Sequence, residues 1–81
     1  MTNRASSHWP NLQELIDSDG SINIGSIAPL NACVAVAAQQ RQVHARLVAK
    51  EGERLTDLLD RLDGAVAKAF DEDIYADEIN R

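Results

Sequence analysis

A chain of 81 residues is long enough for one small domain and no more. Its 44% apolar and 26% charged residues belong to a folded globular chain rather than a disordered one. Thirteen acidic against eight basic residues give a net charge of −5, which argues against a nucleic-acid or anionic-membrane surface, and the single cysteine excludes an internal disulfide framework. With one Trp, one Tyr and one Phe, the core must be built from slim aliphatic side chains. No stretch approaches the ~18 apolar residues of a membrane span, and Met1–Pro10 lacks the apolar stretch of a secretion signal, so the expected compartment is the cytosol.

Three regions are expected along the chain: an arm over 1–25, a main region over 26–70 and an acidic tail over 71–81. Met1–His8 is polar and without periodicity. Pro10 suits a first helical position, and Leu12, Leu15 and Ile16 recur at helical spacing, which predicts a short helix over Pro10–Ile16. Asp17-Ser18-Asp19-Gly20-Ser21 ends it with turn chemistry. The same run has the look of a calcium loop's middle, but its first and twelfth ligand places fall on Leu15 and Ser26, so it reads as a polar turn. Ile22 and Ile24 alternate as in a strand; with no second strand in view, the segment reads as an extended connector whose pairing would lie across an oligomer.

From Ser26 onward, advancing about 100° per residue places Leu30, Val34, Ala37, Val48, Leu55, Leu59, Leu62, Val66 and Phe70 on one stripe. Arg46, Lys50, Arg54 and Arg61 fall opposite, interleaved with Glu53, Asp57 and Asp60 as a solvated face. The expectation is therefore an all-α chain: a long amphipathic helix over 27–70, either continuous or a hairpin turning near Gly52. A lone helix cannot cover such a stripe, which predicts a helical bundle or antiparallel dimer. Its interface would comprise Leu30, Val34, Ala37, Ala45, Val48, Gly52, Leu55, Leu59, Leu62, Val66 and Phe70. Arg41 and His44 interrupt the stripe and are expected to form a polar layer that fixes register.

The tail holds five acids and one base, and carries Ile74, Tyr75 and Ile79. With Trp9, these bulky residues on polar end segments are the candidates for contact with a further partner, or for packing back on the same unit. Cys33, His44 and His8 are too far apart in sequence to suggest a shared ion, and no cofactor, metal or catalytic constellation is called for. The functional expectation is a non-enzymatic protein that associates with itself as an interaction or assembly module. The alternative is a small regulator whose acidic tail docks into a basic groove of an enzyme or nucleic-acid-binding partner.

Overall fold

The computed structural model describes residues 8–27 and 32–79. Its order is α1 (Pro10–Asp17), β1 (Gly20–Ile27), β2 (Ala32–Gln39), β3 (Gln42–Val48), α2 (Leu55–Glu72) and β4 (Ala76–Asp77). The four strands form one mixed sheet in the order β1-β2-β3-β4, antiparallel throughout except for the parallel β3–β4 pair. That parallel pair needs a crossover, and α2 supplies it.

The protein is thus α+β, and the all-α, coiled-coil and helical-bundle expectation is overturned. Residues 27–48, assigned to a helix, instead contribute the end of β1 and the whole of β2 and β3. The reason lies in β2. Ala32-Cys33-Val34-Ala35-Val36-Ala37-Ala38 is apolar or small at every position, so it fits a period of 3.6 as readily as one of 2. The β-branched Val34, Val36, Val43 and Val48 favour the pleated surface. Ile22 and Ile24 do alternate in a strand, but their mate is β2 of the same chain: Ile22 lies opposite Ala37 and Ile24 opposite Ala35.

Two turns set the meander. Gln40 and Arg41 form the β2–β3 turn between the paired Gln39 and Gln42, and Gln40 adopts a positive φ of 55°. Gly52 adopts φ 78° in the β3–α2 connection, so the chain does turn there, between a strand and a helix rather than between two helices. One register shift interrupts β2–β3: Ala37 pairs with Ala45 and Ala38 with Val43, leaving His44 as the extra residue of a bulge.

Both helices lie on one face of the sheet. Leu12 and Leu15 of α1, Leu58, Leu62 and Val66 of α2, Ala35 and Ala37 of β2 and Ala45 and Leu47 of β3 form the buried cluster. Alanine on the strands lets the helices sit close, and leucine on the helices fills the gap. Each buried leucine is worth about 1.5–3 kcal/mol. The last part of the expected stripe is a real helix, but its buried line is Leu58-Leu62-Val66, while Leu55 is 59% exposed.

The helices are fixed by side chains far away in sequence. Trp9, the residue before α1, provides no side-chain cap. The carboxylate of Asp63 on α2 takes that place, accepting the backbone N–H groups of Asn11 and Leu12 at 2.9 Å each. No helix among the described residues is long and apolar enough to cross a membrane.

Candidate functional site

The sheet's two faces and two edges differ in how they are finished, and this difference defines the candidate site. Strand alternation and register put Ile22, Ile24, Cys33, Ala35, Ala37, Ala45 and Leu47 on the helix side. The other side carries Asn23, Ile27, Val34, Val36, Ala38, Val43, Arg46 and Val48, and neither helix packs there. Val34 is buried, at 1% exposure, yet stands outside the helix-side cluster. Val36, Ala38, Val43 and Val48 are half-buried.

One edge is β4, only two residues long and carrying Asp77. Around it Glu78 completes the ladder with both its backbone and its side chain. The Glu78 backbone N–H donates to the Arg46 carbonyl, and its carboxylate accepts the Val48 N–H at 2.8 Å. The other edge is β1, which is eight residues long, GSINIGSI, with six of them exposed. It contains no charged residue and no proline, pairs with β2 without a register shift, and has no strand on its outer side among the described residues.

Arg61 fastens the short edge to the rest of the fold. Its Nε donates to Glu53 Oε2 at 2.8 Å, Nη1 to Glu78 Oε2 at 3.0 Å, and Nη2 to Glu53 Oε1 and the Val48 carbonyl at 2.9 Å each. A single guanidinium therefore joins α2, the β3–α2 loop, the end of β3 and the tail. The Arg61 guanidinium, helped by the Lys50 backbone N–H, lowers the Glu53 carboxyl to about 2. The bond to Glu53 in turn raises Arg61 above its already high value. Beside this clasp, α2, β3 and the tail border an open groove of about 400 Å³ whose lining includes Leu47, Asp60, Ala65, Lys68, Ile74 and Ala76. Its charged groups are largely engaged in the fold, because Asp60 accepts the Trp9 indole N–H at 2.7 Å and Arg61 and Glu78 hold each other.

The residues of the expected interface stripe are dispersed. Val34, Ala37, Ala45, Leu62 and Val66 are buried within the chain. Val48 and Leu59 are half-buried, Gly52 is in a loop, and Leu55 and Phe70 are exposed at 59% and 36%. Leu30 lies outside the described residues. Arg41 and His44 form no layer: Arg41 is exposed in the β2–β3 turn, whereas His44 is 9% exposed. The His44 ring stands edge-on to Phe70 of α2 with centroids 5.1 Å apart, and its Nε2 lies 3.4 Å from Gln39 Oε1.

Of the expected partner contacts, Trp9 packs against the core of its own chain. Ile79 is half-buried, with its N–H on Asp77. Ile74 and Tyr75 stay exposed at 47% and 49%, the Tyr75 hydroxyl donating to Asp77 at 3.1 Å. The tail's acids divide accordingly: Glu78 is committed to Arg61 and Val48, while Asp71, Glu72 and Asp73 face solvent.

Reasoning from sequence missed the Arg61 clasp, since it sets Arg61 on a solvated face; in the fold its carboxylates are Glu53 and Glu78. It missed Asp63 as the partner of α1 as well. No sequence signal marks either contact. Comparison with protein-family models, with curated proteins and with solved structures returned no match.

Proposed function

We propose that this chain is a non-enzymatic interaction module that acts by associating with itself. The observation that carries the reading is the unequal finishing of the sheet. One edge is short, charged and tied down, while β1 is long, uncharged and without an outer strand among the described residues, beside a helix-free face rich in valine. An exposed, regular, uncharged strand edge is a template for pairing with another chain, and folded proteins ordinarily blunt such edges. The engagement of Arg61, Glu78 and Asp60 in internal bonds supports a binding role over a catalytic one. A single cysteine and an acidic, charge-rich surface suit the cytosol.

Sedimentation velocity of the full chain over a concentration series tests this reading. The expected result is a mass rising from one chain toward two as concentration increases. A single-chain mass up to about 1 mM, the limit of weak association, rejects it.

A further inference from the structure

The site of association follows from β1, and this step rests on the self-association reading above. We infer that two copies pair through their β1 strands, antiparallel about a two-fold axis at Asn23, to make one continuous eight-stranded sheet.

Three observations lead there. The first is the edge itself: β1 has none of the charge, proline, bulge or short length that prevents strand addition. The second is self-complementarity. In a two-fold antiparallel pair, opposed residues must point to the same face, so the sum of their numbers is even. Centring on Asn23 sets Ile22 opposite Ile24 of the second copy twice, on the helix side, and Asn23 opposite itself on the other. Ile24 is 37% exposed while Ile22 touches the core, so this register extends the core across the axis and covers the open isoleucine. Centring on Ile24 would set that residue against its own copy but leave Ile22 facing Ser26, one apolar pair on the helix side instead of two.

The third is charge. Each copy carries −5, so association must keep the acids apart. β1 is uncharged, and β4 with Asp77 and Glu78 lies at the far edge. Joining the β1 edges puts the two β4 strands at opposite ends of the sheet, about 34 Å apart at ~4.8 Å per strand. That is several times the ~8 Å screening length at physiological salt. Pairing through the β4 edge would bring the acids together.

Strand pairing alone buries less area than a standard interface, so weak association that depends on concentration is expected. The test compares the wild-type chain with Asn23→Lys and Ile24→Lys by sedimentation, with circular dichroism to establish that each variant is folded. Both side chains are exposed, and each substitution places like charges at the axis. Dissociation constants raised about tenfold or more support β1 pairing, provided that Ile74→Lys at the other edge leaves the mass unchanged. Hydrogen exchange adds a readout that does not need a variant: β1 amides directed away from β2 gain protection as concentration rises. Dimers that persist in both folded β1 variants, with β1 exchange independent of concentration, overturn the β1 interface while leaving self-association standing. A wild-type chain that is single at every concentration overturns both.

Discussion

Asp63 and Asn11 hold each other at both ends, although 52 residues separate them. One carboxylate oxygen accepts the Asn11 backbone N–H and the other accepts its side-chain amide, each at 2.9 Å. The same carboxylate takes the Leu12 N–H, so α2 supplies the cap that α1 lacks and the negative charge that a helix N-terminus favours. Asp63→Ala is expected to cost about 1–2 kcal/mol. In a domain of this size that lowers the melting temperature by roughly 4–16 °C. Asp63→Asn keeps one acceptor oxygen and should lose less. Thermal melts followed by Trp9 fluorescence would check the order.

The Glu53–Arg61 contact makes stability depend on acid. The Glu53 carboxyl is lowered from 4.5 to about 2 in the folded chain, so the unfolded chain takes up that proton first as pH falls. Its contribution is complete above about pH 4.5 and is lost progressively down to about pH 2. Urea titrations between pH 7 and pH 2 should therefore show a shallower acid decline in Glu53→Gln than in the wild type. Equal slopes in the two proteins would reject this account.

Glycines at positions 20 and 64 should respond in opposite directions to alanine. A Cβ on Gly20 would come within 2.5 Å of Leu15 Cδ1 and 2.6 Å of the Leu15 carbonyl oxygen, and Leu15 is fully buried. The carbonyl cannot yield without moving α1, so Gly20→Ala is expected to destabilise by about 1–3 kcal/mol. A Cβ on Gly64 meets nothing within 4 Å and sits inside α2, so Gly64→Ala should stabilise by about 1 kcal/mol. Denaturant midpoints with unchanged slopes are the measurement.

Glycine would suit the backbone better than the residue present at Gln40 and Asp73. Asp73 ends α2 with φ 58°, and Gln40 opens the β2–β3 turn with φ 55°. Left-handed backbone is costly for both residues, and Asp73 also places an acid at the negative end of a helix dipole. Asp73→Gly and Gln40→Gly are each expected to add about 0.5–1 kcal/mol, offset in part by the freer unfolded chain. The double variant should be nearly additive, because the two sites lie on different connections. Calorimetry of the three variants would test both claims.

Local residue chemistry made part of this fold legible. Pro10 followed by Leu12 and Leu15 marked α1, the Asp-Ser-Asp-Gly cluster marked the turn after it, and the part of the apolar stripe from Leu55 to Phe70 fell on α2, although its buried line starts at Leu58. Gly52 was visible as a point where the chain could turn, and it does turn there. Composition set the domain size, the aliphatic core and the acidic charge. The alternation of Ile22 and Ile24 was also visible, as was their need for a mate.

Tertiary structure alone decided what that mate was. β2 is apolar on both faces and so has no period of its own; only the sheet, with helices on one side, tells Ala35 and Ala37 from Val34 and Val36. The bulge at His44 then breaks the alternation of β3, hiding a second strand signal. The contacts that close the fold, Asp63 to α1 and Arg61 to Glu53 and Glu78, join residues that chain spacing does not relate. Periodicity reports which side chains can share a face, but a face becomes interior only when another element covers it, and that is a property of the assembled sheet and helices.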